Sequence, residues 1–338
     1  MSRNFFLIII LNFAFANEQK PFWDVSHPLK TFVIQKALFK PQIDGFLNDS
    51  AWLDVPKISD FIQDEPFNLA VPSEKTEVKV IYDEESIYVA ASINYKSKSD
   101  MTRHMVRRDE WRRVMMSDWF SIEIDSYHDH QTAFEFLVNS MGVQFDDMVY
   151  DDIDRNTDWN AIWDSDVSES DTGWNVEIKI PFSIFKFNKN KEQIWGLIAG
   201  RNLFSFQEAV MWPGEYNGIQ NTVESWGVLE GLNNIPQPKS TEFYPYILGG
   251  ITQADEIEST QNLGLDFKLN ISSNLTSAFT VNPDFGQVEA DPSQLNLSAF
   301  ETRLDEKRPF FVESGNFFKG PQNITHTRRI GQRPGYYE

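Results

Sequence analysis

The sequence predicts an all-β fold, an antiparallel β-sandwich followed by a run of longer amphipathic strands. Three observations carry this. Apolar and polar residues alternate with period two through most of the 338 residues, and few segments sustain a helical period. Turns rich in Asp, Asn, Gly and Ser break the alternation at strand-length intervals. Beyond residue 237 the alternating runs lengthen to about ten residues, the length at which one strand crosses a bilayer.

At the start of the chain, Arg3 precedes the almost wholly apolar run Phe5–Phe15, and Ala14-Phe15-Ala16 has the small-x-small form of a cleavage site. Residues 1–16 are therefore expected to be a signal peptide that directs the chain across the inner membrane, with 17–35 as an N-terminal segment. An ordinary membrane-spanning helix needs roughly 20 apolar residues, more than this run offers. There is no cysteine, which excludes disulfides, thiolate metal sites and cysteine-linked lipid anchors. The net charge of −20 excludes nucleic acid as a partner and leaves cations and neutral ligands.

Residues 36–236 carry the sandwich pattern. Val78 and Val80 share a strand face, Asp83-Glu84-Glu85 reads as a turn, and Ile87, Val89, Ala91 and Ile93 form the inner face of the returning strand. Phe120, Ile122 and Ile124 alternate with Trp119, Ser121, Glu123 and Asp125; Phe134, Phe136 and Val138 alternate with Glu135 and Asn139. Trp174, Val176, Ile178 and Ile180 repeat the pattern until Pro181, which has no N–H to donate to a ladder. Ser183–Phe187 is expected to be a short helical turn. Residues 237–338 contain Tyr244–Thr252, the alternating run Leu263–Ile271, a turn at Ser272-Ser273-Asn274, and Leu275, Phe279 and Val281 on the next strand. One apolar and one polar face fit a lipid-facing and lumen-facing pair at the start of an outer-membrane barrel, and fit equally a hairpin of a soluble sheet. About three strands fall short of the 8 that a single-chain barrel needs, so the barrel is expected to be incomplete and the chain to be the front part of something larger.

Candidate chemistry lies in three places. Asp146, Asp147, Asp151, Asp152 and Asp154 open an acidic segment reaching Asp171, and oxygen ligands at that density suit Ca²⁺, which takes 6–8 of them. No Asp-x-Asp-x-Asp-Gly loop is present, and a solvated acidic loop reads the same segment equally well. Sugar binding needs an exposed aromatic platform beside planar hydrogen-bonding groups. Trp159 and Trp163 in the acidic segment and Trp111, beside Arg107, Arg108, Arg112 and Arg113, are the platform candidates, with Trp119 next because it shares a polar strand face with Glu123. Trp52, Trp174, Trp195 and Trp226 read as core. For catalysis, Glu123 and Asp125 sit two apart on one strand face, within reach of the 5–9.5 Å carboxyl separation of glycosidases. His104, His128, His130 and His326 make no zinc motif of recognisable spacing, and no Gly-x-Ser-x-Gly, Walker or dinucleotide fingerprint occurs.

Several strings of the sandwich region resemble the family 9 carbohydrate-binding module. They are Ile43-Asp44-Gly45 with Ala51-Trp52, Val80-Ile81-Tyr82-Asp83 with Ile87-Tyr88-Val89, Asp118–Asp125, and Gly173-Trp174 with Glu177 and Ile180-Pro181. Asn139, Gly142, Asp146, Trp159, Trp163, Trp195-Gly196, Arg201, Glu208 and Trp212 fall where a subgroup fused to an outer-membrane barrel of unknown function, of the DUF5916 type, carries them. The stretch Thr280–Phe318, with Asn282-Pro283-Asp284-Phe285-Gly286 and Glu306–Phe311, resembles the same subgroup.

The resemblance implies a sugar-binding-like domain followed by a barrel, at the outer membrane or periplasm of a Gram-negative bacterium. It adds Asn139, Arg201 and Trp212 to the sugar-binding candidates. Three function classes follow: a non-catalytic carbohydrate-binding domain serving glycan capture or polysaccharide utilisation, an O-glycosyl hydrolase or its accessory, and a plug or docking domain that has lost sugar binding.

Overall fold

The computed structural model describes residues 7–13, 30–157, 159–214, 222–236, 240–253, 257–272 and 275–282. The part of Thr280–Phe318 beyond residue 282 lies outside them. In chain order the strands are β1 (Leu7–Phe13), β2 (Thr31–Val33), β3 (Gln35–Lys36), β4 (Lys57–Ile58), β5 (Ile62–Glu65), β6 (Thr76–Tyr82), β7 (Ser86–Asn94), β8 (Trp119–Asp125), β9 (Ala133–Asn139), β10 (Gln144–Tyr150), β11 (Asp154–Asn156), β12 (Asp164–Ser170), β13 (Gly173–Pro181), β14 (Glu192–Leu203), β15 (Glu208–Trp212), β16 (Gly227–Asn233), β17 (Ser240–Gln253), β18 (Ile257–Ser272) and β19 (Leu275–Val281). The one α-helix among the described residues is the single turn α1 (Trp111–Val114). No helix of the described residues is long and apolar enough to cross a membrane.

Two compact units divide between Pro238 and Lys239, with β1 belonging to the second. The first is a sandwich of a nine-stranded sheet, ordered β11-β10-β9-β8-β14-β15-β5 with β16 and β2 branching from β14, and a six-stranded sheet, ordered β12-β13-β7-β6-β3 with β4 beside β6. Strand alternation decides what fills it. Val78, Val80, Val89, Ala91, Trp174, Val176 and Ile178 face inward from one sheet, and Phe120, Ile122, Ile124, Phe136, Val138, Trp195 and Leu197 from the other, all in one buried cluster. The residues between them point outward, as a pleat requires.

Carboxylates and amides at strand ends close the hairpins. Asp83 Oδ1 accepts from the backbone N–H groups of Glu85 and Ser86 at 2.7 and 2.9 Å, the short-range bonding that favours Asp in turns. Asn139 Oδ1 accepts from Met141 and Val143 N–H at 3.0 and 2.9 Å, and its amide donates to the His104 carbonyl. The expected helical turn after Pro181 is a 3₁₀ turn over Phe182–Ile184. The Ile43-Asp44-Gly45 and Ala51-Trp52 strings lie over the outer face of the six-stranded sheet. There buried Glu177 accepts from Gly45 N–H at 2.9 Å and Trp52 Nε1–H at 2.7 Å. Gly45 sits at φ +79°, and a Cβ there would lie 2.5 Å from the Val167 carbonyl carbon.

The second unit is a four-stranded antiparallel sheet ordered β1-β19-β18-β17. Leu7–Phe13, within the apolar run, form the edge strand β1, paired from Leu7↔Val281 to Phe13↔Leu275. Phe243, Phe267 and Phe279 are directly opposed across β17, β18 and β19, with ring centroids 4.7 and 5.7 Å apart. On the other face, buried Thr280 Oγ1–H donates to Asp266 Oδ1 at 2.6 Å.

Candidate functional site

The outward face of the nine-stranded sheet forms an open cleft of about 850 Å³. β8 supplies Trp119, Ser121 and Glu123, β9 Glu135, β11 Arg155, and β14 Ile198, Gly200 and Asn202. Trp111 on α1, and Phe204 and Gln207 from the turn after β14, also line it. Small residues at Ser121, Gly200 and Ala209 keep the floor low, so the larger side chains rise around it. The volume lies within the 300–1,000 Å³ typical of ligand pockets.

Register builds the polar end of the floor. Glu123 lies opposite Glu135, and Glu135 opposite Asp147, so three carboxylates form a row across β8, β9 and β10. Arg155 reaches all three: Nη2 is 3.0 Å from Glu123 Oε2, Nη1 is 3.1 Å from Asp147 Oδ1, and Nη1 also pairs with Glu135. One guanidinium does not neutralise three carboxylates. Burial, reinforced by the charge of Glu123, pushes the Glu135 carboxyl well above its usual range, and burial pushes Asp147 up to about 6. The row holds Arg155 firmly charged, with Glu123 as the largest influence.

Of the tryptophans proposed from sequence, Trp111 and Trp119 line this cleft. Trp111 is 44% exposed and packs one side against Phe145 at 5.7 Å, leaving an aromatic surface facing solvent. Trp159 and Trp163 do not form a platform. Phe134 and Phe136, inward-facing on β9, draw the rings toward the core: half-buried Trp159 packs 5.1 Å from Phe134 at the core's edge, and Trp163, only 4% exposed, lies within the core 5.4 Å from Phe136. Trp163 also lines a smaller hollow of about 460 Å³ with Lys40, Gln144 and Lys179. Trp212 is core as well, edge-on to Phe32.

Asn139 is a buried turn cap, and Arg201 faces the interior between Ala199 and Leu203. Arg201 donates to Thr76 Oγ1 and the Glu74 carbonyl, both at 2.8 Å, and pairs with buried Glu208. Neither touches the cleft. Arg107 is exposed and lies outside the cleft lining.

The five aspartates proposed for calcium are dispersed. Asp146 pairs with Arg108 at 2.6 Å and accepts from Ala161 N–H, fastening the segment that carries Trp159 and Trp163. Asp147 belongs to the Arg155 row, while Asp151, Asp152 and Asp154 occupy the β10–β11 turn and its edge. None of the five joins a converging group of metal-binding side chains among the described residues; one such group is Asp125, His128 and His130. Of the Glu123–Asp125 pair only Glu123 lines the cleft; the buried Asp125 carboxylate accepts backbone N–H groups of its own loop.

Sequence reasoning missed Glu135, Arg155, Asn202 and Gln207. Glu135 had a signal, an acidic residue at an outward position of the strand following Glu123. The others enter only through register and loop geometry.

No curated protein matches this chain. Among solved structures, it is similar to a carbohydrate-binding module family 9 from Caldicellulosiruptor kristjanssonii in complex with cellotriose, at 17% identity and TM-score 0.40, covering 60% of this chain and 93% of that one. A putative carbohydrate-binding protein from Bacteroides uniformis is similar at 12% identity and TM-score 0.48, covering 60% and 99%. Residues 43–201 match the family described as carbohydrate family 9 binding domain-like, and residues 238–338 match DUF5916, a domain of unknown function. The chain thus carries a family 9-like domain followed by a DUF5916 region.

Proposed function

We propose that the sandwich binds a carbohydrate in the cleft on the outer face of its nine-stranded sheet. The observation that carries this is that Trp111 and Trp119 line one open cleft together with the planar hydrogen-bonding groups of Glu123, Glu135, Arg155, Asn202 and Gln207. Aromatic faces cover sugar C–H faces, while carboxylate, amide and guanidinium groups take the hydroxyls. The family 9-like match over residues 43–201 supports the same reading. Asp64, Glu65, Glu123 and Glu135 outnumber Arg155 in the lining, so the ligand is a neutral sugar rather than a uronate.

We infer further that the second unit serves as strands of an outer-membrane barrel and that the cleft works in the periplasm or at the cell surface in glycan capture. The opposed Phe243, Phe267 and Phe279 on one sheet face, with Asp266 and Thr280 on the other, support a lipid side and a lumen side.

Calorimetric titration of the full chain with neutral cello-, xylo- and chito-oligosaccharides tests the proposal. Saturable binding is expected, weakened about fivefold or more by Trp111→Ala and by Trp119→Ala, since an aromatic contact contributes about 1 kcal/mol. Folded protein that binds none of these sugars overturns the reading in favour of a docking role. Release of reducing ends during the titration would make the cleft hydrolytic.

A further inference from the structure

The β8–β9 connection holds two groups that folding alone leaves unexplained. Asp125 ends β8 with its carboxylate fully buried, its Oδ1 accepting from His128 N–H at 2.7 Å and its Oδ2 from His130 N–H at 3.0 Å; Asp129 N–H lies 3.4 Å from Oδ1. The loop that wraps this carboxylate puts His128 and His130 at φ +53° and +58°, left-handed conformations that cost most L residues energy and recur at functional sites. Two left-handed residues so placed bring both imidazoles together, with ring centroids 4.4 Å apart. One oxygen of Asp125 and one nitrogen of each ring lie within 4.8 Å of one another.

Among the described residues His128 Nδ1 is buried without a hydrogen-bond partner, where such a nitrogen normally finds one. Among the described residues no cation pairs with the buried Asp125 carboxylate, and the charge that bears on it most, from Asp129, has the same sign. In the same sheet Asp146 faces Arg108, Glu135 and Asp147 face Arg155, and Glu208 faces Arg201. An unneutralised carboxylate beside an unpartnered imidazole nitrogen leaves a place for positive charge with nitrogen affinity.

We propose that Asp125, His128 and His130 form a binding site for a divalent transition-metal ion, with Zn²⁺ the best fit. Two imidazoles and one carboxylate match zinc's preference for nitrogen and oxygen donors; calcium takes 6–8 oxygens, more than this loop presents. Three protein ligands leave the fourth tetrahedral position to water. The ion staples the β8–β9 loop. Asp125 follows Glu123 by two residues on the outward face of β8, about 7 Å along the strand, so the stapled loop borders the polar end of the cleft.

The test uses the full chain after chelator treatment, titrated with Zn²⁺ by calorimetry and with Co²⁺ followed by visible absorption, with Ca²⁺ in parallel. Zn²⁺ binding with a raised melting temperature is expected, together with a Co²⁺ spectrum of tetrahedral intensity. His128→Asn and His130→Asn, which keep a residue tolerant of positive φ, should each weaken binding at least about tenfold. His104→Asn, outside the group, should leave it unchanged. Wild-type protein that takes up neither Zn²⁺ nor Co²⁺, or folded histidine variants that bind Zn²⁺ as wild type does, overturn the proposal. Binding of Ca²⁺ alone overturns it as well.

Discussion

Replacing Arg155 with Gln leaves Glu123, Glu135 and Asp147 without their cation. In the native protein all three converge on one guanidinium, and their side chains are 12%, 6% and 0% exposed. Breaking a buried pair from one side costs about 3–5 kcal/mol, because the surviving charge stays buried and unpaired. The Arg155 side chain is 35% exposed and partly solvated, so the expected loss at about pH 7.5 is at the lower end, about 3 kcal/mol.

The pH dependence has a definite sign. Asp147 is raised from 3.8 to about 6, and Glu135 is raised well above its ordinary value, so between those limits the folded chain binds more protons than the unfolded one. Stability from these groups is therefore full below the unfolded values and is lost as pH rises through the folded ones. Without Arg155 both carboxyls rise further, so the variant's deficit should shrink as pH falls from about 7.5 to about 5. All ten tryptophans lie between residues 23 and 226, so tryptophan fluorescence during urea unfolding reports the sandwich and not the second unit. A loss below about 1 kcal/mol at the higher pH, or an equal loss at both, would refute the reasoning.

Gly45→Ala should destabilise the sandwich by at least about 1–3 kcal/mol, since it adds a Cβ 2.5 Å from the Val167 carbonyl carbon at φ +79°; an unchanged urea midpoint would contradict the close approach. Arg201→Met should cost about 3–5 kcal/mol by stranding Glu208, and adding Glu208→Gln should recover part of it. Chemical denaturation of the two single variants and the double variant reads the coupling. A double variant that sums the two single losses would show that the pair is not coupled.

Period-two alternation settles which side of a strand is apolar, because it is a local property of the pleat, and it identified the inner faces of β6, β7, β8, β9 and β13 from residues alone. The same alternation places Arg201 inward between Ala199 and Leu203, a local signal that it is a structural charge. The signals at Trp159 and Trp163 pointed elsewhere: a tryptophan among aspartates reads as exposed until Phe134 and Phe136, distant in the chain, are packed against it.

The sequence by itself determined the strand content, the inward residues and the turns of the sandwich. Tertiary structure alone decided which outward groups become neighbours. Glu123, Glu135, Asp147 and Arg155 meet through the register of four strands, and His128 and His130 converge on Asp125 through two left-handed residues that no ligand spacing reveals. The reason is physical: side-chain direction follows from each strand's own geometry, whereas register and loop conformation are set by the whole sheet's hydrogen bonding and packing.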